Sequence, residues 1–185
     1  MNGAEQLGTF GEGEHAGVCV RLILRPDADR RPVNLFRGFV RWWSKARSPE
    51  VRRWFRENIK DGEVNLAEKR MVSDPVWRAC CRASVVHDKQ LMAAEADWDI
   101  SKCFERVLVS IVFHLAQHQG MPTNVIRPLR SMYENLQRRL NLGGHIGDPF
   151  KATDGILQGC PLSVLLLSIL MNVWAQAVRA EDASL

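Results

Sequence analysis

The sequence predicts an α+β fold that is rich in helices and carries a small antiparallel sheet. Apolar residues recur at helical spacing in several segments, which is typical of helices that bury one face. The short run VCVRLIL indicates a strand, and Gly143-Gly144 between two extended segments indicates a hairpin. With 185 residues, of which 46% are hydrophobic, the chain can bury a core as one domain, or as one large domain with a smaller appendage.

The chain begins with a segment that is rich in Gly and Glu. Residues 1–17 contain no apolar stretch of the kind found in a signal peptide or membrane anchor, so we expect a flexible leader. Residues 18–24 follow with β-branched and aliphatic side chains between Gly17 and Pro26, which predicts a strand.

Three helices are predicted in the next part of the chain. Residues 35–47 place four apolar side chains on one face and Arg and Lys on the other, which predicts an amphipathic helix. The four apolar residues are Phe36, Phe39, Val40 and Trp43. Ser48-Pro49-Glu50 combines an N-cap, a first-turn proline and an acid, so a second helix should start there and run to about Ile59. Asp74-Pro75 predicts the start of a third helix for the same reason.

The second half alternates helices with short extended segments. A strand is expected over residues 93–99, followed by a helix over 104–119 that stops at Gly120. The segment MPTNVIRPLRSMY is helical but should be disturbed at Pro128. A last helix should span residues 161–178. Its most apolar segment, residues 164–178, is about 15 residues long and contains Ser168, Asn172 and Gln176, so we expect it to be too short and too polar to cross a bilayer.

Positive charge is concentrated near the N-terminal half. Residues 21–70 contain 14 Lys and Arg against 7 Asp and Glu, a local excess of seven positive charges, whereas the whole chain carries +4. Such a surface favours polyanionic partners, although a solvated helix face is the commoner reason for a basic run. The five cysteines form no C-x-x-C pair and are odd in number, which predicts a reduced intracellular protein, nuclear or cytoplasmic.

Two aspartates offer the first chemical signal. Asp97 and Asp99 lie two apart on the predicted strand and therefore face the same side, where carboxylates can hold Mg²⁺. A D-x-D pair alone is more often a solvated strand end. His114 and His118 have the spacing of a metal pair on a helix but lack a third ligand, so zinc is not expected.

The residues around Asp99 resemble a known family. DISKCFERV, residues 99–107, is similar to the first catalytic motif of reverse transcriptases, D-I-x-K-A-F-D-R-V, especially those of non-LTR (LINE-type) retrotransposons. GILQGCPLSVLL resembles the second motif of that family, and it follows at about the family's separation of 50 to 60 residues. LILRPDADRRPVNL further upstream resembles a segment of the fingers. The three segments stand in the family's order over residues 20–178.

The resemblance implies a partial fingers–palm fold of a reverse transcriptase-like polymerase. Residues 18–92 would then be fingers-like, 93–178 a partial palm, and 179–185 a tail. The partners implied are an RNA template, a DNA primer and deoxynucleoside triphosphates, with no membrane and with Mg²⁺ as cofactor.

The resemblance also implies roles for individual residues. Asp99 would be the catalytic, metal-binding carboxylate, with the carbonyl of Ile100 as a second metal ligand. Phe104 would lie beneath the nucleotide sugar and exclude a 2′-hydroxyl. The other predicted nucleotide-binding residues are Arg25, Arg31, Gln158 and Gly159. The arginines would meet the triphosphate, and Gln158 and Gly159 would line the pocket where a bare glycine permits close approach.

The sequence also departs from the family pattern. Cys103, Glu105 and Val164 replace the usual alanine, aspartate and proline, which are tolerable packing changes. The third motif, x-Asp-Asp, does not occur before Leu185, so we expect a fragment or degenerate copy of a retrotransposon polymerase that is inactive alone. Two other hypotheses remain: a non-enzymatic nucleic-acid-binding remnant, and a basic helical interaction domain whose motif matches are accidental.

Overall fold

The computed structural model describes residues 2–10, 18–24, 30–59, 73–95 and 99–181. Its elements, in chain order, are α1 (Asn2–Leu7), β1 (Val18–Leu24), β2 (Arg30–Leu35), α2 (Gly38–Asn58), α3 (Ser73–Asp88), α4 (Cys103–Arg106), α5 (Val109–His118), α6 (Thr123–Asn135), β3 (Arg138–Leu142), β4 (His145–Ile146) and α7 (Ser163–Glu181). The protein is thus helix-rich α+β, as predicted. The strand at residues 18–24 and the helix beginning beside Asp74-Pro75 are also confirmed.

The four described strands form one mixed sheet in the order β2-β1-β3-β4. β1 pairs antiparallel with β2, and β3 with β4, but β1 runs parallel to β3, so the sheet is not antiparallel throughout as predicted. Parallel pairing needs a long crossover, which the helices between β1 and β3 supply. The predicted hairpin is confirmed: Gly143 and Gly144 have φ of +58° and +91°, as a tight turn between paired strands requires.

The predicted helix boundary at Ser48 is wrong, because α2 is a single 21-residue helix that contains Pro49. Proline removes one helical hydrogen bond, but the side chains on both sides of it belong to the same buried face. Trp43 before the proline and Val51 and Phe55 after it are all fully buried. Tertiary packing therefore keeps the helix continuous through Pro49. Pro128 is likewise inside α6 and buried.

The predicted helix over residues 104–119 is interrupted. α4 ends at Arg106, Val107 and Leu108 are extended with ψ of 125° and 106°, and α5 starts at Val109. At this break the carbonyl of Phe104 accepts a hydrogen bond from the N–H of Ile156 at 2.7 Å, and that of Val107 accepts one from the N–H of Gly155 at 2.9 Å.

The predicted strand over residues 93–99 is not observed in the part of that segment that the structure describes. Residues 91–95 and 99–100 have no regular secondary structure, and residues 96–98, with Asp97, lie outside the described part of the chain. None of the strand pairs in the described sheet involves residues 91–95 or 99–100.

The N-terminal segment is not a flexible leader where it is described. α1 packs against α6, and Phe10 is only 2% exposed. The Glu5 carboxylate accepts hydrogen bonds from Trp43 Nε1 at 3.0 Å and from Arg47 Nη2 at 2.6 Å. The composition of this segment does not predict these contacts, because only one buried aromatic residue and one acidic residue hold the short helix in place.

The core lies between α2, α5, α6 and α7. α7 is central to it: Leu165, Leu166 and Ile169 are buried, and the helix packs against α5. By length and composition, α7 is also the one helix in the described residues that could cross a membrane. The core packing of its apolar face accounts for that composition. α3, by contrast, buries none of its residues.

Candidate functional site

A cleft of about 730 Å³ opens beside the edge of the sheet. Leu22 on β1, Arg31 on β2, the segment 99–105 and Gln158 line it. Its walls therefore come from three segments that are far apart in the sequence.

Five of the predicted site residues line this cleft: Asp99, Ile100, Phe104, Arg31 and Gln158. Asp99, Ile100 and Arg31 are exposed, whereas Phe104 and Gln158 are half-buried. Gly159 does not line the cleft but follows Gln158 directly. Arg25 lies outside the described residues, so its predicted role stays a prediction.

Backbone hydrogen bonds hold the two motif-bearing segments together. The N–H of Ile156 donates to the carbonyl of Phe104 at 2.7 Å, and that of Gly155 donates to Val107. A Cβ on Gly155 would lie 3.1 Å from the carbonyl oxygen of Glu105, and its φ of +93° favours glycine. The segment GILQG is thus pressed against CFERV by contacts that a side chain at residue 155 would disturb.

The Gln158-Gly159 turn is also fixed to the sheet. The carbonyl of Gln158 accepts hydrogen bonds from the backbone N–H of Asn34 at 2.8 Å and from Asn34 Nδ2 at 3.0 Å. Gly159 has a φ of +107°, and a Cβ there would lie 2.3 Å from the carbonyl oxygen of Asn34. The close approach expected of this glycine is therefore an approach to β2.

Buried groups support the turn from behind. The N–H of Leu157 donates to Tyr133 Oη at 3.4 Å, and Cys160 is fully packed in the core. Burial raises the pKa of Tyr133 well above its usual value, and the nearby Cys160 adds to the effect. Burial likewise raises the pKa of Cys160, so both groups stay neutral under the turn.

Two carboxylates share the cleft. Burial raises the pKa of the Cys103 thiol, and the negative charges of Glu105 and then Asp99 raise it further. Both carboxylates are therefore close enough to Cys103 to affect its pKa. Glu105 also accepts a hydrogen bond from Gln158 Nε2, which orients the glutamine amide. From the sequence, Glu105 was interpreted as a packing change. Its position six residues after Asp99 was the only available signal that it would face the cleft and orient Gln158.

Lys102 is a second cleft residue that the sequence did not single out. It has a left-handed backbone with φ of +51°, and its carbonyl accepts hydrogen bonds from Glu105 and Arg106 at the start of α4. A non-glycine residue in this conformation is strained by about 1 to 3 kcal/mol, which the surrounding contacts must offset. Its ammonium and the guanidinium of Arg31 give the cleft two cations.

The donor set suits a Mg²⁺ ion that arrives with a phosphate ligand. Mg²⁺ prefers hard oxygen donors and is commonly held by one or two carboxylates, substrate phosphates and water. Asp99 and Ile100 line the cleft, and the Asp99 carboxylate and the Ile100 carbonyl are oxygens of this kind. Within the described ranges, no three His, Cys, Asp or Glu residues cluster as a ready metal site, and this includes His114 and His118. The residues fit a metal carried in by a ligand better than a preformed pair of ions.

A comparison of the chain with models of known protein families finds no match.

Proposed function

We propose that the cleft binds a deoxynucleoside triphosphate with Mg²⁺, as the nucleotide site of a reverse transcriptase-like domain. One observation carries the proposal: Arg31, the segment 99–105 and Gln158 were each expected at such a site from separate motifs, and they line one cleft. Its volume of about 730 Å³ lies within the usual range for small-molecule sites.

Each side chain has a role in the proposed site. Arg31 and Lys102 bind phosphate oxygens, the guanidinium through paired N–H groups and the ammonium as a point charge. Asp99 and the Ile100 carbonyl hold Mg²⁺, which neutralises triphosphate charge when bound. Phe104 packs against the sugar. Gln158, with its amide oriented by Glu105, donates to or accepts from the nucleotide.

The resemblance extends the proposal to a polymerase of a non-LTR retrotransposon that copies an RNA template from a DNA primer. Alignment of a primer hydroxyl with a triphosphate in that family depends on carboxylates of the x-Asp-Asp motif, and the sequence contains no Asp-Asp pair. For residues 1–185 we therefore propose nucleotide binding without primer extension.

An intracellular location follows from the same proposal. All five cysteines are free thiols, and Cys80 and Cys81 are exposed, which is the state that a reducing compartment maintains. The RNA and nucleotide partners would be met there as well.

Isothermal titration with Mg²⁺ and dTTP tests the proposal. Arg31→Ala should weaken binding by about tenfold, since a charge-assisted hydrogen bond contributes roughly 1.5 to 3 kcal/mol. Asp99→Asn should weaken binding only when Mg²⁺ is present, because it removes a metal ligand. Arg53→Ala and Asp148→Asn change equally exposed charges outside the cleft and should leave affinity unchanged. Equal affinity in the parent and in both cleft variants would refute the assignment.

A second candidate function, nucleic-acid binding without chemistry, is favoured by α2. This helix carries six Lys and Arg residues against two Glu residues. Most of these basic residues lie on one face of the helix.

A further inference from the structure

One exposed face of α2 forms a shallow basic groove of about 370 Å³. Its side chains recur at helical spacing, so they form a continuous strip along the helix. The lining residues are Gly38, Arg41, Trp42, Lys45, Ser48, Arg52 and Pro161. We refer to Arg41, Trp42, Lys45 and Arg52 as the α2 strip. From its first to its last residue the strip extends about 16 Å along the helix axis.

The cations of the strip have no acidic partner in the described part of the chain. The nearest acid on the helix, Glu50, instead pairs with Arg47 at 3.2 Å and accepts a hydrogen bond from Asn124, also at 3.2 Å. Glu5 is likewise engaged by Arg47. Glu5 and Glu50 therefore bond on the α1–α2–α6 side, and among the described residues no acid compensates the positive charge of the strip.

Trp42 presents a rigid aromatic surface within this charge. Its side chain is 59% exposed, whereas the other two tryptophans of α2, Trp43 and Trp54, are buried. Its ring lies 6.4 Å from that of Phe39, and Phe39 makes an edge contact with the buried Phe10 at 6.1 Å. Phe39 and the buried Phe10 thus support one side of the indole. Its exposed area is available for stacking.

We propose that the α2 strip binds single-stranded nucleic acid, with phosphates on Arg41, Lys45 and Arg52 and a base stacked on Trp42. Cations beside an exposed aromatic ring are the combination that single-strand binding surfaces use, since the charges follow the backbone and the ring accepts any base. A duplex conceals its base faces and would not use Trp42. The inference deepens the second candidate function, on which it rests, and it is independent of the proposed nucleotide cleft.

The position of the groove is consistent with a strand that runs past the cleft. Pro161 lines the groove, and Gln158, three residues earlier, lines the cleft. The turn that begins α7 thus joins the two surfaces. A strand held on the α2 strip would lie near that turn.

Fluorescence anisotropy with two labelled probes tests the proposal: a twelve-nucleotide oligo-dT and an abasic oligonucleotide of the same length. Trp42→Ala should weaken oligo-dT binding by about tenfold, as loss of one stacked base does, and leave abasic binding unchanged. Lys45→Ala/Arg52→Ala should weaken binding of both probes. It should also reduce the slope of log affinity against log salt by about 1.4, because each phosphate contact on a single strand contributes about 0.7.

Matched variants on α3, and at Lys89 directly after it, control for exposure and charge. Trp77→Ala removes a tryptophan that is 71% exposed, and Arg78→Ala/Lys89→Ala removes two exposed cations. Neither should change oligo-dT affinity by more than the error of measurement. Equal losses for the α2 and α3 variants would overturn the site, and an equal loss of both probes with Trp42→Ala would overturn stacking. Thermal melts monitored by circular dichroism establish that each variant is folded. Asp148→Asn, which changes an exposed charge outside both the cleft and the groove, should bind oligo-dT like the parent protein.

Discussion

Asn34 on β2 donates two hydrogen bonds to the carbonyl oxygen of Gln158, from its backbone N–H at 2.8 Å and from Nδ2 at 3.0 Å. Asn34 is buried, with 6% of its surface exposed. The two bonds fix the turn that carries Gln158 to the same strand that carries Arg31. The relative position of these two cleft residues therefore depends on this contact.

Gly159→Ala should destabilise the protein by about 3 kcal/mol, measured by urea unfolding. The new Cβ would lie 2.3 Å from the carbonyl oxygen of Asn34, and φ is +107°, so both sterics and backbone strain oppose it. Gly144→Ala is the control, because its φ of +91° is also left-handed but the space around it is open. It should cost only about 1 to 2 kcal/mol. Equal losses would show that Asn34 can move away without cost.

The sequence predicted elements that depend on local chemistry. The hairpin at Gly143-Gly144 and the start of α3 beside Pro75 each require a particular backbone conformation. Glycine and proline favour these conformations, so the residue type predicts the element. The same reasoning placed a close approach at Gly159.

Tertiary contacts decided the elements that the sequence predicted wrongly. Pro49 lies inside α2 because burial of Trp43 and Phe55 on one face outweighs the lost hydrogen bond. At the break after Arg106, the carbonyl of Val107 bonds to Gly155, which is distant in sequence. The parallel pairing of β1 with β3 is likewise nonlocal. None of these partners can be seen in the segment that they alter.

The predicted site shows the same division. The motifs named Asp99, Phe104 and Gln158, which line one cleft, but not Lys102 or Glu105, which line it too. The sequence treated Glu105 as a substitution because its contact with Gln158 exists only after the two segments pack. The boundary between fingers-like and palm-like regions near residue 92 stays a prediction.

Alkylation of Cys103 should report the charge of the cleft. Burial, Glu105 and Asp99 together raise the pKa of this thiol, so in the parent protein it should react with iodoacetamide more slowly near pH 8 than the exposed Cys80. Glu105→Gln should shift the pH profile of the Cys103 rate to lower pH with an unchanged plateau. Peptide mass spectrometry gives each rate, and Cys80 serves as the internal control. A change in plateau alone would indicate altered access rather than charge.

The same raised pKa predicts a loss of stability in alkaline solution. A thiol whose pKa is raised in the folded state contributes stability that is fully present below its unfolded pKa and is lost as pH rises through its folded pKa. Stability should therefore fall as pH rises above about 8.5. Cys103→Ala should reduce this fall, as measured by urea unfolding across that range. An identical pH dependence in the variant would assign the effect elsewhere.

Glu5→Gln should destabilise the protein by about 1 to 2 kcal/mol. The Glu5 carboxylate is paired with Arg47 through both oxygens, and their side chains are only 10% and 25% exposed. Glu134→Gln removes the charge from an exposed pair with Arg130 and should cost less than about 0.5 kcal/mol. Equilibrium unfolding measures both. A neutral Glu5→Gln would mean that α1 docks through Phe10 alone.

Phe104→Val should weaken discrimination against a 2′-hydroxyl. If the ring packs beneath the sugar, the parent should bind dATP more tightly than ATP. The variant should reduce the ratio of dATP affinity to ATP affinity by about tenfold. Phe150→Val, at a 40% exposed aromatic outside the cleft, should preserve the parent ratio. Calorimetric titration of both nucleotides gives the ratios. An unchanged ratio in Phe104→Val would remove the proposed contact with the sugar.

Protection of Cys103 by nucleotide tests the central claim most directly, because this thiol lies inside the cleft while Cys80 and Cys81 are exposed on α3. We predict that Mg²⁺ with dTTP slows alkylation of Cys103 in a saturable manner and leaves both α3 thiols unaffected. Asp99→Asn should require more nucleotide for the same protection, and Asp148→Asn should not. Unchanged Cys103 alkylation at nucleotide concentrations that saturate calorimetric binding would place the nucleotide elsewhere and contradict the proposed site.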